Sequence, residues 1–234
     1  MRMGRFYGVG VGPGDPELLT VKALRVLGEV DVICAPRTGD GKEGIALSII
    51  GSALKKGCRV ITPLFPMTRD EEVVRAHVQE AVDQVLAELE RGRDVAFVTL
   101  GDPLFYSTYI YVLEGLGRVR GLEIETIPGV TSISACLAGL NKPLVGRGES
   151  LAILPAAYGL ERLERLKEDA DVIILLKVSR RFREIVDRLG ELGLREDALF
   201  VSGCSTGEFR SAPLEEMAGQ EVSYLSMIII RRRR

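Results

Sequence analysis

Three loops rich in glycine, proline, aspartate and hydroxyl residues carry the groups that could do chemistry in this sequence. They are GVGPGDP (10–16), LGDPLFYST (100–108) and PGVTS (128–132). Glycine lets a backbone approach a ligand closely, aspartate can fix a turn or bind an ammonium group, and hydroxyls donate or accept hydrogen bonds. Alternatively, Asp102, Thr131 and Ser132 could serve only as caps for backbone N–H groups at helix starts. The local sequence leaves both interpretations open.

The glycine spacing of the first loop does not fit a dinucleotide-binding motif. When G-x-G-x-x-G is counted from Gly8 or from Gly10, its third glycine falls on Pro13 or on Asp15. No G-x-x-x-x-G-K-[ST] string occurs, and proline removes a backbone donor that a pyrophosphate would need. A nucleotide-dependent oxidoreductase is therefore disfavoured, and a tight strand-to-helix turn is the simplest role for these glycines.

Side chains for acid–base, nucleophilic or metal catalysis are scarce. The single histidine, His77, lies in the middle of a predicted helix, and the four cysteines are far apart in sequence: Cys34, Cys58, Cys136 and Cys204. These residues do not build a Ser-His-Asp triad or a zinc site, so no metal is predicted. Scattered cysteines favour reduced, mostly buried thiols in a cytoplasmic protein. An enzyme of this composition is most credible if one reactant arrives already activated, because positioning then does most of the work.

Each of the three loops follows a predicted strand. The apolar runs Phe6–Val11, Val95–Leu100 and Leu122–Ile127 have the β-branched and aromatic content of buried strands, and helical patterns lie between them. This alternation predicts a parallel, doubly wound sheet of about five strands. Since ligands gather at the carboxyl ends of strands in open α/β sheets, all three loops are expected at one binding edge.

The second half of the chain repeats the strand–helix alternation on a smaller scale. The segment NKPLVGRGE (141–149) has no periodicity and has the composition of a linker. The sequence therefore predicts an N-terminal α/β domain over residues 1–142, with a mostly parallel sheet, and a C-terminal α/β domain over 143–234. Two sheets that meet across a linker form a cleft, which is a common place for a small ligand.

Bulk composition excludes several classes of protein. The 234 residues carry a net charge of −2, which gives no general attraction to nucleic acid. No run of 18 apolar residues predicts a membrane span, and no cationic leader predicts export. The arginines at 231–234 are interpreted as a solvated tail after the last strand.

Together the three loops resemble those of the tetrapyrrole methyltransferase family. The motifs GVGPGDPELLT (10–20), GDP (101–103) and PGVTS (128–132) occur in that family's order. The resemblance implies S-adenosylmethionine (SAM) as cofactor and two α/β domains with the active site in the cleft between them. Three stretches, GDPLFYST (101–108), NKPL (141–144) and SYLS (223–226), are most similar to enzymes of cobalamin biosynthesis that methylate carbon 20 of precorrin-2 or cobalt-factor II.

The resemblance also implies roles for individual residues. The cofactor-binding residues that it implies are Leu100, Gly101, Asp102, Phe105, Thr131, Ser132, Lys177 and Cys204. Of these, Lys177 and Cys204 would line the adenosine pocket through backbone groups. Pro13 would face the substrate. The arginines in loops that could bind substrate carboxylates are Arg37, Arg147, Arg180 and Arg181. No catalytic base is identified.

The reactants explain how such a site could work without a base in the transfer step. The sulfonium makes the methyl group electrophilic, and a meso carbon of a reduced tetrapyrrole is nucleophilic, so in-line positioning lowers the barrier. The alternatives are methylation of another tetrapyrrole carbon (in uroporphyrinogen III or a later precorrin), methylation of a ribosomal RNA ribose, and a non-enzymatic corrinoid-binding protein. The resemblance further implies a homodimer.

Overall fold

The chain forms two compact units, Met1–Ser132 and Ile133–Arg234. The computed structural model describes residues 2–39, 44–66, 68 and 70–232. Sequence composition predicts the boundary later, between residues 142 and 143. The contacts divide the chain earlier because the helix Ser132–Leu140 (α5) buries Ile133 and Cys136 against the strands of the second unit.

The first unit is built on a parallel five-stranded sheet, as the alternating pattern predicted. Its strands are β1 (Phe6–Gly10), β2 (Val32–Cys34), β3 (Arg59–Ile61), β4 (Val95–Thr99) and β5 (Ile124–Ile127). Their order is β3-β2-β4-β1-β5, and every pairing is parallel. Strand β1 therefore lies between β4 and β5, so the three strands that precede the glycine-rich loops are direct neighbours.

Helices cover both faces of this sheet. They are α1 (Val21–Leu27), α2 (Ile45–Ile50), α3 (Glu71–Glu90) and α4 (Tyr109–Leu116). Alternate residues of a strand point to opposite faces, so in β4 Ala96 and Val98 pack with α1 and α2, whereas Val95 and Phe97 pack with α3 and α4. All five residues of β4 are buried, which explains its continuous hydrophobic run.

The sequence predicts one helix that starts at Pro16, with Asp15 as its N-cap, and another helix over Phe105–Leu116; both begin later in the structure. The first helix, expected from Asp15 onward, is divided into a 3-10 turn over Pro16–Leu18 and α1, because Asp15 and Thr20 each cap a separate start. The Asp15 side chain accepts a hydrogen bond from the Glu17 N–H, and Thr20 accepts one from Ala23. Helix α4, expected from Phe105, begins at Tyr109 because the preceding residues form the loop described below.

The second unit contains a mixed five-stranded sheet. Its strands are β6 (Leu151–Pro155), β7 (Val172–Leu176), β8 (Ala198–Ser202), β9 (Arg210–Pro213) and β10 (Ser226–Arg231), and its helices after α5 are α6 (Ala156–Gly159), α7 (Leu163–Asp169) and α8 (Phe182–Glu191). The order is β6-β7-β10-β8-β9, with β10 antiparallel to both of its neighbours. Strand β9 was not predicted; it is a short edge strand, and only Ala212 of it is buried.

The end of the chain is tied to the segment that follows α5. Arg231 donates hydrogen bonds to the carbonyls of Pro143 (3.3 Å) and Leu144 (2.8 Å) and forms an ion pair with Glu149. The prediction of a solvated tail is therefore wrong for Arg231, while Arg233 and Arg234 lie outside the described residues. Within the described part of the chain, no helix is long and apolar enough to cross a membrane.

Candidate active site

The first two glycine-rich loops meet beyond the carboxyl ends of β1 and β4. The Val11 N–H donates to the Thr99 carbonyl at 3.0 Å, and the Gly101 N–H donates to the Gly12 carbonyl at 2.7 Å. Gly12 and Gly101 form an isolated antiparallel bridge. Beyond the parallel strands, these backbone hydrogen bonds join the loop after β1 to the loop after β4. They hold the two loops together at the predicted binding edge of the first unit.

Close backbone packing explains why glycine occupies two of these positions, and backbone conformation explains a third. A Cβ atom on Gly129 would lie 2.1 Å from the Gly101 carbonyl oxygen, and one on Gly10 would lie 2.6 Å from the same atom. Gly101 differs from both, because a Cβ there would meet no atom within 4 Å. Its φ of 70° is in the left-handed region that favours glycine. The Cα side of Gly101 therefore has open space next to it, which we call its open face, while its carbonyl oxygen packs against Gly10 and Gly129.

Asp102 fixes the geometry of two loops. Its Oδ2 accepts a hydrogen bond from the Gly129 N–H at 3.0 Å, and its Oδ1 accepts one from the Leu104 N–H at 2.9 Å. The first bond joins the loop after β4 to the loop after β5, and the second closes a turn within its own loop. Of the two interpretations offered by the sequence, the structure supports the turn-fixing one for this carboxylate.

The rest of the loop after β4 exposes three apolar or aromatic side chains and ends in a hydroxyl that bonds to the start of α4. Leu104, Phe105 and Tyr106 are exposed, and the Phe105 and Tyr106 rings contact each other edge to face at 4.9 Å between centroids. The Ser107 hydroxyl lies 2.9 Å from that of Thr99 and accepts a hydrogen bond from the Tyr109 N–H. Ser107 therefore binds the first N–H group of α4, and Phe105 remains at the surface of this loop.

The other predicted residues of the first unit divide between this edge and a neighbouring loop. Thr131 and Ser132, both half-buried, lead into α5, and Pro13 is buried within the opening loop. Arg37 lies instead in the loop after β2, where it donates to the carbonyls of Thr62 (3.2 Å) and Gly39 (2.9 Å). The Arg37 guanidinium thus connects its own loop to the end of β3.

In the second unit, Lys177 follows β7 and Cys204 follows β8. Burial lowers the pKa of Lys177, whose φ of 56° is unusual for a residue with a side chain. Cys204 forms a disulfide with Cys136 of α5, and their Cα atoms are 4.7 Å apart. The prediction of four reduced thiols is therefore wrong for this pair, because the fold joins two cysteines that are 68 positions apart in sequence. Cys34 and Cys58 are free.

The three predicted arginines of the second unit differ in their surroundings. Arg147 and Arg180 are exposed. Arg181 forms a bidentate ion pair with Glu184 and donates a hydrogen bond to the Ala157 carbonyl oxygen at 3.4 Å. A groove of about 1060 Å³ lies along Arg180 and Arg181, and its lining mixes arginines with carboxylates.

Two tyrosines near Arg180 were not predicted as site residues. Tyr158 and Tyr224 are 63% and 49% exposed, although aromatic side chains of this size are usually well buried. Partial burial raises the pKa of Tyr224, while the charge of Arg180 acts in the opposite direction. The sequence offers one signal for Tyr224, the motif SYLS (223–226), which is similar to that of carbon-20 methyltransferases but does not by itself imply a role for the tyrosine.

A parallel α/β sheet whose loops meet at the carboxyl ends of its strands is typical of proteins that bind a small molecule at that edge. Residues 5–218 match the model of the family described as Tetrapyrrole (Corrin/Porphyrin) Methylases. The chain belongs to this family, as its loop motifs predicted.

Named relatives match nearly all of this chain. The probable cobalt-precorrin-2 C(20)-methyltransferase of Methanocaldococcus jannaschii is 37% identical over 234 residues, which are 97% of this chain and 96% of that protein. The cobalamin biosynthesis protein CobIJ of Mycobacterium tuberculosis is 34% identical over 97% of this chain but only 46% of its own length. The chain thus spans about half of that relative.

A solved structure agrees with the fold. The uroporphyrin-III C-methyl transferase of Thermus thermophilus, complexed with S-adenyl homocysteine, superposes with a TM-score of 0.73 and is 28% identical. The superposition covers 97% of each chain.

Proposed function

We propose that this chain is a SAM-dependent C-methyltransferase that acts on carbon 20 of precorrin-2 or cobalt-factor II in cobalamin biosynthesis. The observation that carries the proposal is the 37% identity with the Methanocaldococcus jannaschii relative over nearly the whole of both chains. The stretches NKPL (141–144) and SYLS (223–226), which resemble carbon-20 enzymes, lie within the same match.

The open face of Gly101 fits the backbone-lined part of a SAM site. Leu100 and Gly101 would offer backbone groups to the methionine part, with Phe105 excluding water beside them. Asp102 would act as a positioning residue, because it holds the Gly101 turn against Gly129. Thr131, Ser132, Lys177 and Cys204 complete the proposed set. When bound, SAM supplies an electrophilic methyl group on a sulfonium.

Arg180, Tyr158 and Tyr224 support an anionic, planar substrate. An exposed guanidinium suits a carboxylate, and exposed aromatic faces suit a large flat ring. Arg147 and Arg180 are exposed, so their guanidinium groups are the better candidates for substrate carboxylates. By orienting the macrocycle against the cofactor-binding loops, these residues would supply much of the catalysis through positioning.

A labelling experiment tests the proposal. The protein is incubated with methyl-¹³C SAM and either precorrin-2 or cobalt-factor II, and the product is examined by ¹³C NMR and mass spectrometry. We expect one label at carbon 20. Tight macrocycle binding without transfer would favour a corrinoid-binding protein and would overturn the enzymatic proposal.

A second candidate is methylation of another tetrapyrrole carbon. The structural likeness to the Thermus thermophilus enzyme favours it. The same experiment with uroporphyrinogen III distinguishes the two, because label would then appear on a pyrrole carbon. We further propose a homodimer, for which light scattering should give twice the mass of one chain.

A further inference from the structure

We propose that Cys136 and Cys204 form a reversible redox pair that regulates the proposed cofactor site. The disulfide holds this part of the site in its binding geometry, and reduction weakens SAM binding. The inference rests on the proposed function, because Ser132 and Cys204 belong to the proposed SAM-binding set.

The bond connects two elements that carry proposed cofactor residues. Cys136 lies one turn after Ser132, the residue at which α5 begins. Cys204 is the second residue after β8 and follows Gly203, whose φ is 63°. The Cα separation of 4.7 Å is within the range that a disulfide spans without backbone movement. The crosslink therefore fixes the loop after β8 to the helix that starts at Ser132.

Few other bonds hold the loop after β8 in place. The Gly203 N–H donates to the Leu225 carbonyl at 3.1 Å, and the Thr206 N–H donates to the Gly203 carbonyl at 3.2 Å. The Cys204 carbonyl accepts only a local bond from the Ser205 hydroxyl at 2.7 Å among the contacts found in the described chain. The disulfide is thus the covalent anchor of this loop at Cys204.

The two sulfur atoms differ in accessibility. Cys136 is 2% exposed and packs in the apolar layer that contains Val172, Val201 and Met227, whereas Cys204 is partly exposed. A thiolate reductant can therefore attack the sulfur of Cys204, and Cys136 leaves as a thiolate that takes up a proton. The second thiol of a dithiol reductant then releases Cys204, so one dithiol is oxidised while the two cysteines gain two electrons and two protons. A low-molecular-weight disulfide reverses the reaction.

The apolar packing of Cys136 does not depend on the bond. Ile133 and Cys136 would stay buried against the second sheet after reduction, so the unit should remain folded while the loop gains freedom. Ordering that loop again on binding would cost affinity, and we expect roughly a three- to ten-fold higher Kd. Cys34 and Cys58 provide an internal contrast, because they belong to the first unit and are unpaired.

The test measures thiol state and cofactor affinity on the same full-length protein. Samples are equilibrated with dithiothreitol or with oxidised glutathione, the thiols are counted by alkylation and mass spectrometry, and S-adenosylhomocysteine binding is measured by calorimetry. Cys136→Ala removes the bond without altering Cys204, and Cys58→Ala is the matched control. We expect reduced wild type and Cys136→Ala to share the weaker Kd, and Cys58→Ala to follow wild type in both states.

Three results would overturn the inference. The first is a pair that resists reduction and oxidation in the folded protein, and the second is a wild-type Kd that is the same in both thiol states. The third is a Cys136→Ala variant that still shows the shift in Kd on reduction. If the pair cycles but no form binds S-adenosylhomocysteine, the proposed function fails together with the inference. Equal binding in both states removes the inference alone.

Discussion

The carboxylate of Asp102 accepts hydrogen bonds from Leu104 and Gly129, and so sets the spacing of two loops of the first unit. Gly10, Gly101 and Gly129 let the backbones of these loops come into direct contact. At the scale of single residues, the glycine-rich motifs are therefore mainly a device for packing one backbone against another. Of these three glycines, only Gly101 combines a positive φ with open space around its Cα hydrogens.

Substitution of Gly129 tests this packing. Gly129→Ala places a methyl group 2.1 Å from the Gly101 carbonyl oxygen, so we expect the free energy of unfolding to fall by about 3 kcal/mol. Gly121→Ala is the control, because its φ of 77° costs about 1 kcal/mol while its methyl group would meet no atom within 4 Å. Urea denaturation measures both variants. Equal losses of unfolding free energy in the two variants would show that the backbone around Gly129 can move to accommodate a methyl group.

Arg180 carries the prediction on substrate binding. If it clamps a substrate carboxylate, Arg180→Ala should raise KM by up to about five-fold with little change in kcat, since an exposed ion pair contributes modestly. Arg183→Ala, an exposed arginine on the same groove, should leave both parameters unchanged. Steady-state kinetics with the tetrapyrrole varied measures the effect. An unaltered KM in Arg180→Ala would remove this residue from the proposed site.

At the scale of elements, a buried carboxylate ties α3 to the sheet of the first unit. Glu88 is 3% exposed and pairs with Arg91 and Arg93 at 2.7 Å and with Arg59 at 3.1 Å. Burial alone would raise the pKa of Glu88, but Arg93, Arg59 and Arg91 hold it below its usual 4.5. Because Arg59 begins β3 and Arg93 precedes β4, this network anchors the end of the sheet opposite the candidate site.

Glu88→Gln should lower the free energy of unfolding by about 1–3 kcal/mol at neutral pH, because a neutral amide loses the charge-assisted interactions with Arg59, Arg91 and Arg93. A pKa lowered in the folded state stabilises the protein above the unfolded value near 4.5 and loses that effect as pH falls through the folded value. The difference in unfolding free energy between wild type and Glu88→Gln should therefore become smaller under acidic conditions.

Denaturant titrations at about pH 7 and about pH 3.5 measure this gap. Glu90→Gln, an exposed residue on the same helix, should match wild type throughout. A gap that stays constant with pH would contradict the electrostatic explanation.

At the scale of the whole molecule, charge decides between a small-molecule and an RNA substrate. The chain has 31 basic and 33 acidic residues, so it lacks the excess positive charge that a polyanion would need. We expect RNA to bind with a Kd weaker than about 100 µM at physiological salt, measured by fluorescence anisotropy. A low-micromolar Kd that weakens steeply with added salt would favour the RNA alternative.

Much of the first unit could be predicted because its signals are local. Strand β4 is a continuous apolar run since both of its faces are buried, and helix α3 has Asp70 as its cap and Gly92 after its end. The loop motifs identified the family for the same reason, since each motif lies within a dozen consecutive residues.

Strand β9 is an element that no local sequence signal predicts. It lies at the edge of the second sheet and buries only one of its four residues, so it has no hydrophobic pattern to detect. The surroundings of the arginines were equally hidden, because Arg37 bonds to the Thr62 carbonyl and Arg181 to the Ala157 carbonyl, which only the folded chain brings near.

The sequence by itself determined the alternating α/β architecture, the three loops that follow β1, β4 and β5, and the family, because each depends on neighbouring residues or on short spacings. Only the tertiary structure decided that Asp102 braces Gly129, that Cys136 pairs with Cys204 and that β10 runs antiparallel in a mixed sheet. Those contacts join residues far apart along the chain, and the path of the backbone through space, which no local pattern encodes, brings them together.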